Sequence, residues 1–152
     1  MDAKAAQAVG FIVVRDPAQA DLAILRAPAA YQSEHPGFFF GSRQHEGRLA
    51  FTEKDETYAE LLRISATVPT VFVTTLERPL ILSNVRTHAT AILGDFGICD
   101  EALLGLIIGE VSPAGHLPFE LPASAESVSE QKSDLPHDSL SPLYPFGFGL
   151  HY

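Results

Sequence analysis

The stretch "TVFVTT" (70–75) decides the fold. Its β-branched and aromatic residues run without the alternation of a half-exposed strand. Both faces therefore expect cover, the habit of strands in parallel α/β sheets. Three further runs read the same way: "GFIVV" (10–14), "DLAILR" (21–26) and "ATAILGDF" (89–96). Two amphipathic helices are expected between and after them. One follows Thr52 as N-cap, with Asp55 three residues on to reciprocate, and sets Tyr58, Leu61, Leu62 and Ser65 along one side. The other starts at Asp100, carries Leu103, Leu104, Ile107 and Ile108 on one face, and stops at Gly109. A shorter helix is expected over "DAKAAQAV" (2–9).

Strands alternating with helices predict an α/β fold, a three-layer α/β/α sandwich of incomplete flavodoxin-like type with a mostly parallel sheet. One connection misfits. "RDPAQA" (15–20) is shorter than the dozen or so residues that a parallel crossover needs, so the 10–14 strand is expected to pair antiparallel or to sit apart. After residue 110 the pattern gives way to a segment holding more than half of the eleven prolines, expected to wrap the surface. Residues 1–152 thus read as a single domain, with an α/β part to about 110 and an extended segment over 111–152.

The chain has 152 residues, 46% hydrophobic and 19% charged, enough to bury a core. Nineteen acidic against ten basic residues give a formal charge of −9, which repels a phosphate backbone, and no Lys/Arg run offsets it. Nucleic acid is set aside as a partner. A single cysteine, Cys99, allows no intrachain disulfide or multi-cysteine zinc site and reads as a small buried residue. The start, "MDAKAAQAVGFIVVRD", lacks the charged and apolar regions of a secretory leader, and no run has the roughly 18 apolar residues of a membrane span. A soluble chain without a membrane partner or a targeting signal is expected, its compartment left open.

The longest internal connection runs from Arg26 to Phe51, beyond the end of an expected strand, where α/β sheets gather ligands. It contains "FFFGSRQHEG" (38–47), whose three adjacent rings fit neither helical nor strand periodicity. Glu34 and Glu46 lie in this loop beside His35, Arg43 and His45. A glutamate among aromatic rings can have its pKa raised far enough to serve as a general acid, although a solvated surface charge is the plainer reading. No phosphate-binding glycine motif, nucleophile elbow or His pair at helical zinc spacing occurs, so no cofactor or metal is expected.

Four segments together resemble the C-terminal α/β sandwich domain of glycoside hydrolase family 3, the β-glucosidase family. They are "ADLAILR" (20–26), "VPTVFVTTLERP" (68–79), "AILGDFGICDEALLGLIIGEVSPAGHLPFELP" (91–122) and "LYPFGFGLHY" (143–152). "GEVSPAGHLPF" (109–119) corresponds to the recurring G-x-x-x-P-x-G-(K/R)-L-P, "YPFGFGL" (144–150) to the P-F-G-(Y/F)-G-L ending, and "ERP" (77–79) takes the place of the usual G-R-P. The resemblance implies a part in hydrolysing O-glycosidic bonds of a carbohydrate substrate. It implies as partner, in cis or in trans, an N-terminal (β/α) barrel that supplies the catalytic aspartate and that these residues do not encode. It also implies an acid/base glutamate on the loop after "DLAILR". By position that is Glu34, with Glu46 as runner-up, while Arg43 and His45 face the cleft and touch substrate. Phe38 to Phe40 would then pack against the barrel or a sugar face, with a tendency to self-associate when uncovered, or else tuck under their own loop. The alternative is a stand-alone α/β module that binds a sugar or a protein without catalysis.

Overall fold

The computed structural model describes residues 1–40 and 45–152. Its elements in chain order are α1 (Ala3–Ala8), a 3₁₀ turn (Pro17–Gln19), β1 (Ala23–Ala27), α2 (Glu56–Ile64), β2 (Thr70–Thr75), α3 (Ser83–Arg86), β3 (Ala91–Asp95), α4 (Asp100–Ile107) and α5 (Ala125–Glu130). The strands form one parallel sheet in the order β1-β2-β3, with Leu25 opposite Phe72 and Phe72 opposite Ile92.

Pleating sends alternate side chains of β2 to opposite faces. Val71 and Val73 pack with Leu103 of α4, and Ile24, Ala91 and Leu93 join them from the flanking strands. Phe72 points the other way, into a cluster with Tyr58 and Leu61 of α2, with Leu25 and Ile92 beside it. Helices thus cover both faces of the sheet, and the absence of alternation in 70–75 has its cause. The small side chains of Ala5 and Ala6 let α1 sit directly against Leu104 of α4. The two helices are tied further by Asp2, whose carboxylate caps the Lys4 amide and whose own amide donates to Asp100 at 2.6 Å.

Helix α4 keeps the expected bounds. Asp100 and Glu101 occupy its first turn, where the helix dipole favours negative charge, and Gly109 follows its end at φ +79°, a conformation that costs glycine little. Arg26, near the end of β1, bonds Asp100 at 2.8 Å, the carbonyl of Ile98 at 2.6 Å and buried Asp95 at 3.4 Å. This draws β1, the end of β3 and the start of α4 together.

Three expectations are corrected. "GFIVV" forms no strand: residues 11–14 lie irregular, and Ile12 is 89% exposed. High β-propensity makes no strand without a ladder to join, and β1 is instead an edge of the sheet. The short connection at 15–20 therefore poses no crossover problem. Helix α2 begins at Glu56 with Asp55, not Thr52, at its N-cap, because the Asp55 carboxylate turns back to the Thr52 amide at 2.8 Å and to Arg48. Cys99 is exposed rather than buried, since it stands at the N-cap position of α4, outside the helix face that meets the sheet.

The segment after residue 110 contains α5, closed by a Ser124–Ser127 capping box, and an isolated antiparallel bridge between Leu121 and Tyr144. Leu121 belongs to the α2-side cluster, and Leu117, Phe119, Leu143 and Tyr144 pack against it.

Candidate active-site loop

Beyond β1 the chain first stays inside, with Ala29 and Ala30 almost fully buried, and then emerges at Tyr31. It returns through residues 45–50 as a second limb. The limbs are joined where the Gln32 amide donates to the carbonyl of Glu46 at 2.8 Å. Gly47 makes the close approach possible. It sits at φ +67°, and a Cβ there would lie 2.9 Å from both Gln32 Cβ and Glu34 Oε1 and 3.0 Å from the Gln32 carbonyl.

Glu46 acts across this junction. Its Oε1 accepts from the amides of Glu34 at 2.9 Å and His35 at 2.8 Å, and His35 Nδ1 lies 3.1 Å from each carboxylate oxygen. The His35 hydrogen bond, with the two amides adding, holds the Glu46 carboxyl below the ordinary glutamate value. Glu46 is thus kept as an ionised acceptor, the opposite of the raised pKa that a general acid needs. Glu34 is exposed at the loop surface, with its side chain beside Gly47.

His45 stacks on Tyr31 with ring centroids 4.3 Å apart, and its Nδ1 lies 2.5 Å from Glu77 Oε2. Arg43 lies outside the described residues. Phe38, Phe39 and Phe40 are 70%, 86% and 62% exposed. Phe38 meets His35 edge-on, and Phe39 meets Phe40 in the same way. The rings do not tuck under their own loop, and they form an apolar patch beside the two glutamates.

Two arginines hold the second limb. Arg78, just past the end of β2, donates through Nη2 to the carbonyls of Ala30 at 2.9 Å, Glu46 at 3.0 Å and Arg48 at 2.8 Å, so one guanidinium spans both limbs. Arg48 meets Asp55 in two bonds of 2.6 Å each. That pair raises the Arg48 pKa. For Asp55, burial pushes upward, but Arg48 and the Thr52 amide bring it below the usual carboxylate range. The loop is thereby fixed where it enters α2. Sequence reading quoted "ERP" (77–79) only as a motif and gave Arg78 and Glu77 no role. Their place directly after a buried strand was the available signal. Among the described residues, no group of three or more His, Cys, Asp or Glu could hold a metal.

A parallel sheet with a long, carboxylate-bearing loop at its strand ends is the class of α/β domain that handles ligands at that edge. Residues 11–152 match the glycosyl hydrolase family 3 C-terminal domain, and the chain belongs to that family. It is 48% identical over 97% of its length to a periplasmic beta-glucosidase/beta-xylosidase of Dickeya chrysanthemi. It is 36% identical over 93% of its length to a probable beta-glucosidase C of Aspergillus flavus, and 35% identical over the same share to beta-glucosidase C of Emericella nidulans. The chain spans less than a quarter of the length of these relatives: 23%, 22% and 22%. No helix among the described residues is long and apolar enough to cross a membrane.

Proposed function

We propose that this chain serves as the C-terminal domain of a β-glucosidase-like hydrolase, in which Glu34 is the general acid/base and Glu46 holds the loop that presents it. In this reading residues 1–152 act as one unit, part of a flavodoxin-like sandwich wrapped by 111–152. The (β/α) barrel that supplies the nucleophile docks, in cis or in trans, over the Phe38–Phe40 patch, and the chain alone does not turn over substrate. The observation that carries the proposal is the division of labour between the two glutamates. Glu46 is committed to two loop amides and His35, whereas Glu34 stands exposed beside an aromatic patch at the strand ends.

A retaining glycosidase needs one carboxylic acid to protonate the leaving oxygen and a nucleophilic carboxylate about 5–5.5 Å away. Glu34 would supply the first and the barrel the second. After the glycosyl-enzyme forms, the same glutamate, now a carboxylate, takes the proton from the attacking water. Arg43 and His45 would contact sugar hydroxyls, with His45 oriented by Glu77 and by its stacking on Tyr31.

The test is Glu34→Gln in the complete two-domain enzyme. Turnover of alkyl glucosides should fall by about 10²–10⁴-fold. Nitrophenyl glucosides, whose leaving group needs little protonation, should lose less, and azide should restore the deglycosylation step. Equal, wild-type turnover of both substrates would remove Glu34 from the role. Saturable sugar binding by the chain, with no hydrolysis when a barrel is supplied, would favour the stand-alone binding module instead.

A further inference from the structure

We propose that the pocket between α5 and the 131–139 turn is a second carbohydrate site, which takes one neutral pyranose ring. The ligand class rests on the glycosidase reading above, but the site itself does not depend on Glu34. The cavity has a volume of about 330 Å³, at the small end of ligand sites and suited to one monosaccharide. Phe119, Pro79 and Pro136 give it apolar walls against which the C–H face of a sugar can lie, and Glu120, Lys132 and Asp138 give it polar ones.

Glu120 is the central observation. It is only 8% exposed, and both of its hydrogen bonds, from Gln131 Nε2 and the Ser139 amide at 3.0 Å each, fall on Oε1. Among the described residues Oε2 takes part in none. That oxygen keeps contact with solvent, so its open acceptor positions can be reached by a ligand, and vicinal sugar hydroxyls supply two donors. The turn over the pocket is held in place as well. The Lys132 amide donates to Asp138 at 2.8 Å, and Gln131 Nε2 donates to Ser139 Oγ at 2.7 Å. His137, at φ +57°, is the one non-glycine residue with positive φ among those described, and its ring lies 4.4 Å from that of Phe146. Strain of this kind persists where the surroundings over-determine it, and it clusters at ligand clamps.

The charges narrow the ligand further. Glu120 and Asp138 repel an anion, the Lys132 ammonium opposes a cation, and a neutral polyol meets both donors and acceptors. Leu49 and Pro79 line this pocket and adjoin Arg48 of the loop and Arg78, which holds that loop, so the site neighbours the proposed catalytic loop.

The experiment is a titration of the isotope-labelled chain with methyl β-D-glucopyranoside and methyl β-D-xylopyranoside, read as amide shifts by NMR. Saturable shifts are expected at residues 119–122 and 131–139. Glu120→Gln should weaken binding at least tenfold, and Glu34→Gln should leave it unchanged. Lys132→Ala, a surface change that spares the fold, should also weaken binding if Glu120→Gln does not fold. The absence of saturable shifts at these amides, or shifts that survive undiminished in both pocket variants, would overturn the site. Failure of the Glu34 assignment would register separately, as undiminished turnover with binding here intact.

Discussion

The guanidinium of Arg78 donates to the main-chain oxygen of Glu46 at 3.0 Å while also holding the carbonyls of Ala30 and Arg48. One side chain from the end of β2 therefore fixes both limbs of the loop that leaves β1. Removing it by Arg78→Ala leaves three carbonyls without their donor and should cost about 2 kcal/mol. Hydrogen exchange should quicken over residues 30–40 and 45–48 well before the sheet is affected. Arg78→Lys should rescue only in part, because the shorter lysine side chain stops its ammonium short of the Nη2 position on which the three carbonyls converge. Unchanged exchange in both variants would remove Arg78 from this role.

Acid should loosen the same loop. Glu46 titrates below its ordinary value of 4.5 because the His35 hydrogen bond, with the amides of Glu34 and His35, favours the carboxylate. A folded pKa below the unfolded one gives stabilisation that is complete above the ordinary value and lost as pH falls through the folded value. Amide protection at 31–40 should therefore decline as pH drops below about 4.5. In Glu46→Gln the protection should already be lower at neutral pH and its acid dependence flatter, so that variant and wild type converge in acid. Asp100, held down first by the Asp2 amide and also by Arg26, should on protonation loosen the α1–α4 contact over a similar acid range.

Gly47→Ala should cost about 1–2 kcal/mol from the left-handed backbone alone. The new methyl must also displace Gln32 and Glu34, since it would lie within 3.0 Å of both. In the complete enzyme this variant should reduce kcat more than it reduces global stability, because Glu34 is moved while the sheet is untouched. A melting temperature that falls with no change in kcat would separate the loop geometry from catalysis.

Phe72→Ala empties the centre of the α2-side cluster, where Phe72 is fully buried and meets Phe51 with centroids 5.3 Å apart. A loss of about 3–5 kcal/mol is expected, read as the shift in urea midpoint at constant slope. Such a loss is a large fraction of a domain's total stability.

The exposed rings of Phe38, Phe39 and Phe40 should drive concentration-dependent association of the chain. Serine at all three positions should shift sedimentation toward monomer, and in the complete enzyme it should weaken barrel contact. Identical sedimentation of variant and wild type would show that the patch is not an interface.

Much of the fold was legible because local pattern and tertiary environment agree. In β2 the unbroken apolar run coincides with cover on both faces, and in α4 the i, i+3, i+4 spacing coincides with the sheet it packs against. The reading failed where environment overrides pattern. Residues 10–14 have strand-forming side chains but no ladder, and Asp55, which does reciprocate to the Thr52 amide, also pairs with Arg48 and itself takes the N-cap position of α2. Sequence also brought Glu34, His35, His45 and Glu46 into one loop, but it gave no means of telling the exposed glutamate from the engaged one. That distinction depends on two amides and an imidazole, whose positions follow from how the limbs cross.

The irregular run at 11–14 bears on how the chain behaves in concentrated solution. Ile12, Val13 and Val14 stand exposed beside a sheet whose outer strands are β1 and β3. A short, uncharged, β-branched segment free to pair is a nucleus for cross-β stacking between molecules. Storage at high concentration should therefore produce turbidity with a lag phase and seeding behaviour, unlike the reversible contact expected of the phenylalanine patch. Ile12→Lys would act as a gatekeeper that lengthens the lag without touching the core.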